Sequence, residues 1–469
     1  MSVFGWVTEH EGFFSGLVAI AALLGIVGAA GRLLWVRATR IQPSAGGSWT
    51  VAIAVGSLVV IIVIAFVVLN SRPDEHVPRH VGRTGPPTIA VLPFTSMSGA
   101  AEHELLSNGM TEDIITLLAR SPAMQVIARN STFQYKGQSV DIRKVGEELG
   151  AEFVVEGSLR AIGDRIRVTV QLIDAIPGTH VWAEKYDRPL SDLFELQDEV
   201  ATGIAAGVGD EVFKIESIRA SQAHAENLDA WGLTWRADES WSVEEAREAV
   251  RLDENYARSH AVLGRNLSID ALNSSRGAES FDEAVRAARR GAELAPEDVI
   301  VLTHLGATLL WSGDPEQALT ILRRVPAMSP SYAEGFAWYG DALIHNGRPE
   351  EGLSLVERAI ELTPNARIIW IYEIIRAEAL IHLGRFDVAR AVLQHAQLNA
   401  TLPMNFAFLA GVEALTGNLS EAQKLMNKAK ALAPTFSAAG FRQMYNSIST
   451  DNGGINFERM FDALEAAVP

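Results

Sequence analysis

Residues 296–329 read PEDVIVLTHLGATLLWSGDPEQALTILRRVPAMS, and residues 330–363 read PSYAEGFAWYGDALIHNGRPEEGLSLVERAIELT. The two stretches share a length of 34 residues and the same punctuation. Pro296, Pro330 and Pro364 open successive units, and Leu302, Leu305, Gly306 and Ala318 recur as Phe336, Tyr339, Gly340 and Gly352. Between the apolar runs lies a turn, GDPEQA at residues 313–318 and GRPEEG at 347–352, which returns as GRFDVA at 384–389 and GNLSEA at 417–422. Each unit therefore predicts two antiparallel helices. A small residue is needed at Gly306 and Gly340, where the helices of a pair cross closely. The proline after each second helix stops it, because it lacks the N–H that would continue the ladder.

This period, with Pro434 following Pro364 after 70 residues, resembles that of tetratricopeptide repeats. The resemblance spans about residues 222–440 and implies an all-α superhelix with a concave groove for peptides or protein surfaces. Four units are clear, and five or six result if degenerate ones are counted. In His260–Pro296 the residues Leu263, Gly264, Ala284 and Ala288 fit only if an extra stretch near Asn273–Ala278 is admitted, and Asn227–Val250 reads as an earlier partial unit. Gly384 is displaced by three residues, which predicts a longer first helix. The repeat numbering puts Glu334, Ala337, Asp341 and Ile344 on a strip facing the groove as a possible partner site; a merely solvated face is the competing reading. Residues 441–469 read as a C-terminal tail or capping helix.

Upstream, residues 88–215 read as an α/β domain with a mixed sheet. TIAVLPF at Thr88–Phe94, QVIA at Gln125–Ala128 and EFVVE at Glu152–Glu156 are short, β-branched runs of the kind found in buried strands. RIRVTVQLID at Arg165–Asp174 alternates strictly, so one of its faces is buried and the other solvated. Ile162-Gly163-Asp164 fits the hairpin turn before it. HVWAEKY at His180–Tyr186 is a further strand. Helices are expected after Thr111, over Asp141–Leu149, where Ile142, Val145 and Leu149 share a face, and over Leu193–Val212.

The blocks IAVLPF (89–94), SNGMTEDI (107–114), VIARNSTFQYKG (126–137), VGEELGAEFVVEGSLR (145–160) and QLIDAIPGTHVWAEKYDR (171–188) resemble, in order, the TolB-like amino-terminal domain. That resemblance implies a module found between a membrane segment and tetratricopeptide repeats, in bacterial proteins that begin with a class III nucleotide cyclase or a winged-helix regulator. It brings no catalytic residues, and with twelve residues before Phe13 neither a cyclase nor a DNA-binding domain is expected ahead of the first apolar run.

At the amino terminus, FFSGLVAIAALLGIVGAAG (13–31) and WTVAIAVGSLVVIIVIAFVVL (49–69) carry no charge. They predict two transmembrane helices, at about 13–36 and 49–69, that anchor residues 1–70 in the bilayer. Glu9 and Glu11, with no Lys or Arg before the first run, argue against a cleaved signal peptide. Arg32, Arg37 and Arg40 favour a cytoplasmic connection, which places the protein in the bacterial inner membrane with its C-terminal domains on the periplasmic side; Arg72, Arg79 and Arg83 pull the other way. Residues 71–87 form a linker.

The formal net charge is −17. Residues 88–215 carry 11 Lys+Arg against 19 Asp+Glu, and residues 216–469 carry 23 against 34. Neither part offers the basic face that phosphate binding requires, so nucleic acid is not expected as a partner. With no cysteine, the chain has no disulfides, thiol nucleophiles or Cys-ligated metals.

No phosphate-loop, dinucleotide, nucleophile-elbow or zincin motif occurs. Glu102-His103-Glu104 reads as a surface loop, and His345 and His382 precede a turn glycine by two residues, as Trp311 does, so repeat geometry accounts for them without a metal. Ser107-Asn108-Gly109 and Arg129-Asn130-Ser131-Thr132 read as turn and cap chemistry near element ends, with a small-ligand site as the alternative. Trp231, Trp235 and Trp241 are expected to pack between domain and array. No catalytic residue, metal or cofactor is assigned. The expected function is a membrane-anchored, non-enzymatic scaffold or sensor of the cell envelope, with protein partners. An accessory to nucleotide-cyclase signalling is the first alternative, and an unrecognised hydrolase using Ser107, Asn108 and Asn130 the second.

Overall fold

The computed structural model describes residues 85–121, 123–189, 193–223, 228–273, 278–396, 403–450 and 454–468. Both expected membrane spans and most of the linker lie outside them. Among the described residues no helix is long and apolar enough to cross a membrane. The expected architecture is corrected accordingly: the chain is described as a mostly helical, tetratricopeptide-like superhelix joined to a small sheet.

The sheet order is β3 (Gln125–Val126), β1 (Thr88–Val91), β4 (Phe153–Ile162), β5 (Arg165–Asp174), β6 (Thr179–Pro189), with the two-residue β2 (Thr95–Ser96) also on β4. β3, β1 and β4 run parallel, and β4, β5 and β6 antiparallel, so the sheet is mixed as its strand patterns predict. Ile162 pairs with Arg165 across a two-residue turn in which Gly163 takes φ +61°, a conformation costly for other residues. The alternation in β5 sends Ile166, Val168, Val170 and Leu172 into the core, each at most 1% exposed.

Helix α1 (Ala101–Ala119) begins ten residues before the expected start at Thr111, because Leu106, Ser107 and Met110 are already buried against the sheet. The short α2 (Arg129–Phe133) follows β3. Helix α3 (Ile142–Leu149) is capped by the Asp141 side chain, which accepts from Arg143 N.

Helix α4 (Leu193–Gln222) overruns its expected end at Val212 by ten residues. Val200, Ile204, Val208 and Val212, at i, i+4, i+8 and i+12, join the sheet core. On its other side Ala206 and Phe213 enter the cores of the array. α4 thus belongs to both layers.

The array consists, among the described residues, of the pairs α5 (Ala230–Ser240) and α6 (Val243–Leu252), α7 (Ala257–Asn273) and α8 (Ala278–Leu294), α9 (Val299–Trp311) and α10 (Pro315–Leu322), α12 (Ala333–His345) and α13 (Pro349–Leu362), α14 (Ile369–His382) and α15 (Phe386–Ala396), and α16 (Pro403–Leu415) and α17 (Leu419–Leu432). A short α11 (Val325–Met328) links the third and fourth pairs. The partial unit at Asn227–Val250 is a full pair. The close crossings are real: a Cβ on Gly340 would meet Gly352 O at 2.8 Å, and one on Gly264 would meet Ala284 O at 2.7 Å.

Helices α18 (Ala438–Ile448) and α19 (Gly454–Ala467) close the array. They fold back over the C-terminal ends of first helices: Thr450 N donates to His345 O (2.9 Å), and Asn456 Nδ2 to His382 O (2.8 Å). Tyr445, Phe457, Phe461, Phe441 and Phe408 form one aromatic cluster, with Tyr445 stacked on Phe457 at 4.3 Å. The tail is therefore part of the fold's core.

Candidate functional site

A cleft lies between α4 and the N-terminal ends of the array's first helices. α4 contributes Gly209, Asp210 and Phe213; α5 contributes Trp235 and Asp238; and His304, Glu334 and Arg367 come from the later pairs. Sequence spacing places these groups. Gly203 and Gly207, on the sheet side of α4, give room to Tyr186 and Trp182 of β6, which lets the helix sit close to the sheet. Phe213 packs on Trp235 at 4.9 Å, and Trp235 on Trp231 at 5.5 Å, so these two tryptophans join domain to array as expected. Trp241 instead stacks on Trp370 at 5.9 Å, within the array.

The electrostatics centre on Asp238. Its carboxylate lies 2.9 Å from Arg265 Nη1, 3.4 Å from Arg367 Nη2 and 3.7 Å from His304 Nε2. Burial pushes this carboxyl up, but the guanidinium groups of Arg265 and Arg367 more than offset that and hold it below its ordinary value. Arg367 also reaches Glu239 at 2.6 Å. Burial, with Arg265 adding to it, drives the His304 imidazole down to about 3, so it is neutral at physiological pH.

Deeper in the array Arg258 holds Asp298 at 2.9 Å, and the same Asp298 caps α9 by accepting from Ile300 N and Val301 N. At Asp210 and Glu334 burial outweighs the opposing pull of Arg367. Burial raises both, Asp210 to about 7. Three buried polar atoms of the lining, Trp235 Nε1, His304 Nδ1 and Ser329 Oγ, have no hydrogen-bond partner among the described residues. A pocket that joins apolar rings, paired charges and unspent hydrogen-bonding groups suits a ligand that is itself part apolar and part polar.

The four groove positions read from the repeats separate. Glu334 lines the cleft, where it accepts from Tyr332 Oη and Trp338 Nε1, both at 3.1 Å. Ala337 and Ile344 are fully buried in the array core and present no surface to a partner. Asp341 sits 3% exposed on the opposite half of the same face, with His345 of its own helix and Glu378 of α14. The closing segment packs over the half of that face on which Asp341 lies, through Ser449 against His345.

Ser107 lies within α1 and donates to Glu104 O, and Asn108 accepts from Lys136 Nζ at 2.8 Å. Thr132 donates to Arg129 O. These hydrogen bonds occupy the side chains of Ser107, Asn108 and Thr132, three of the residues considered for a small-ligand site. The cleft itself carries no local motif. Only the closeness in sequence of Trp231, Trp235 and Trp241 pointed to this junction, and the third of them lies elsewhere in the array.

Residues 85–202 match the family model described as the second domain of HilA/YgeH-like transcriptional regulators. The TolB-like resemblance of the sequence blocks is not shown by that match. A protein of Rhizobium meliloti (strain 1021) named "Putative adenylate cyclase 3" is 41% identical over 202 residues, which are 41% of this chain and 34% of that protein. The chain thus spans about a third of the length of this curated relative. Among solved structures, a thermophilic tetratricopeptide protein of Thermus thermophilus is 24% identical, with TM-score 0.32, over 39% of this chain and 96% of that one. Pseudomonas aeruginosa pilF is 15% identical, with TM-score 0.31, over 46% and 92%. The structure titled "YrrB: a TPR protein with an unusual peptide-binding site" is 16% identical, with TM-score 0.26, over 41% and 95%.

Proposed function

We propose that the chain is a protein-recognition scaffold with no catalytic centre of its own, and that the cleft between α4 and the array receives a segment of a partner protein. The observation that carries this reading is the set of unpartnered polar atoms on Trp235, His304 and Ser329 beside the buried Asp238–Arg367 pair. Main-chain and polar side-chain groups of an inserted peptide would satisfy them, and Phe213 and Trp235 would take its apolar side chain. Both soluble parts of the chain are acidic, which favours a protein partner over a nucleic acid.

Photo-crosslinking tests the proposal. A photoreactive residue replacing Glu334 should label a reproducible partner, and labelling should fall at least tenfold when Gly209→Leu fills the cleft. A Cβ on Gly209 meets only Met124 Cε, at 3.9 Å, and the rest of the leucine enters the cleft, so the variant's circular dichroism and unfolding midpoint are matched to the parent's before labelling is compared. Equal labelling with and without the leucine would refute the assignment.

A second reading is supported by the relative with the cyclase name: the chain acts as a regulatory component of nucleotide-cyclase signalling. Deleting the gene and measuring cyclic nucleotides in the parent organism separates the two, since an unchanged level excludes the second reading alone.

A further inference from the structure

Five carboxylates are almost fully buried among the described residues: Asp174, Glu216, Asp341, Glu378 and Glu413. Arginine neutralises three of them, since Arg219 bridges Asp174 and Glu216, and Arg390 lies 3.0 Å from Glu413. Asp341 and Glu378 have no arginine or lysine partner among the described residues. What faces them is the Nε2 of His345, 3.6 Å from Asp341 Oδ1 and 3.5 Å from Glu378 Oε1. The repeat itself brings the two carboxylates together: each stands six residues before a turn glycine, Asp341 before Gly347 and Glu378 before Gly384, so stacked units place them side by side.

We propose that Asp341, His345 and Glu378 form a binding site for one divalent transition-metal ion, of the zinc or manganese class, buried between α12, α14 and the closing helix α18.

An N–H donor shared with a carboxylate would draw it to about 2.7–2.9 Å. Here both oxygens stay beyond hydrogen-bond reach, and Asp341 Oδ1, on a side chain 3% exposed, has no hydrogen-bond partner among the described residues. Donors around a tetrahedral ion at bond lengths of about 2.0–2.2 Å lie about 3.3–3.6 Å apart, which matches the two imidazole–carboxylate separations. All three donor atoms lie within 4.8 Å of one another.

The surroundings orient them as ligands. His345 Nδ1 lies 2.6 Å from Ser449 Oγ, so a proton on Nδ1 is donated there and the Nε2 lone pair is left facing the two carboxylates. The Tyr445 hydroxyl hydrogen-bonds Glu378 and lies 3.0 Å from His382 Nε2, which fixes the second carboxylate. An ion of charge +2 supplies what arginine supplies elsewhere. One imidazole and two carboxylates, with no sulfur, suit zinc or manganese; the burial of all three disfavours calcium and magnesium, which keep six or more oxygen ligands and water.

The alternative is that protons neutralise the two carboxyls and no metal is bound, and a titration separates these cases. Full-length protein is stripped with chelator, and Zn2+ alone and Mn2+ alone are titrated by calorimetry, with the bound equivalents counted by native mass spectrometry. The site predicts one equivalent of Zn2+ or Mn2+, and at 100 times the dissociation constant a folding equilibrium shifted about 100-fold toward the native state. The Asp341→Asn/Glu378→Gln double variant should lose that equivalent while its metal-free unfolding midpoint stays at or above the parent's.

As a readout independent of that variant, Co2+ in the parent protein should give the intense visible bands of a four-coordinate ion. No tight equivalent in the parent, an equivalent kept by the folded double variant, or a six-coordinate Co2+ spectrum would each overturn the proposal.

Discussion

Replacing Asp210 by Asn tests the electrostatics of the cleft. The Asp210 carboxyl is raised from 3.8 to about 7, by burial first, with Glu211 and Glu334 adding to it and Arg367 and Lys214 opposing it. A group that holds its proton more tightly in the native than in the unfolded state makes stability fall as pH rises between the two values. Full stability is thus present below about pH 4 and is lost as pH climbs through about 7. The ceiling on the loss is about 4 kcal/mol, at about 1.4 kcal/mol per pH unit. Between pH 5 and pH 8 the expected loss is about 2–3 kcal/mol, the lower figure allowing for the edge of Asp210 that solvent reaches.

Asparagine keeps the shape and removes the charge. In urea unfolding followed by tryptophan fluorescence, Asp210→Asn should therefore match the parent near pH 4 and exceed its stability by about 2–4 kcal/mol at pH 8. Other titrating groups are common to both proteins and cancel in the difference. A difference that does not vary with pH, or that favours the parent at pH 8, would refute the reasoning.

Gly340→Ala should lower stability by about 1–3 kcal/mol, because the new methyl meets the backbone oxygen of Gly352 at 2.8 Å and neither helix can yield locally; thermal unfolding measures it. Arg258→Ala should cost about 3–5 kcal/mol, since it strands the Asp298 carboxylate that also caps α9, whereas Arg258/Asp298 replaced together by Met and Asn should recover most of the loss in the same chemical denaturation. Gly209→Ala should raise stability by about 0.5–1 kcal/mol, because a helical position with room for a methyl loses the entropy of glycine, and a lower midpoint would show that the methyl is not accommodated.

The helical array was legible because its period repeats a physical requirement: Gly264 and Gly340 mark crossings where a methyl would strike backbone, and such residues stand out at a fixed spacing. The hairpin at Gly163 and the alternation of β5 were legible for the same local reason. The start of α1 was not, since Glu102, His103 and Glu104 look like a solvated loop until Leu106 and Met110 are seen to face the sheet. The end of α4 was missed because its last turns are held by Phe213 in the array core, a partner distant in sequence. The groove strip failed in a related way: repeat numbering finds which side of α12 faces inward, but not that Ala337 and Ile344 are sealed there by neighbours. The Asp341–His345–Glu378 cluster joins two repeats 37 residues apart at positions 341 and 378, so each half alone reads as ordinary repeat geometry.

The first helices of the array serve two intramolecular occupants at once. Towards their N-terminal ends α4 is seated through Ala206 and Phe213, and towards their C-terminal ends α18 and α19 are seated through Tyr445, Ser449 and Asn456. α12 carries both regions, with Glu334 in the cleft lining at one end and His345 against Ser449 at the other. A rigid helix of 13 residues joins these two sites, about 20 Å at 1.5 Å per residue. Any ligand of the cleft that shifts α12 along its axis therefore changes the His345 contacts under the closing helices as well. The face formed by these helices is a surface already partitioned by the chain itself, and the recognition proposed above would use the space that α4 leaves open.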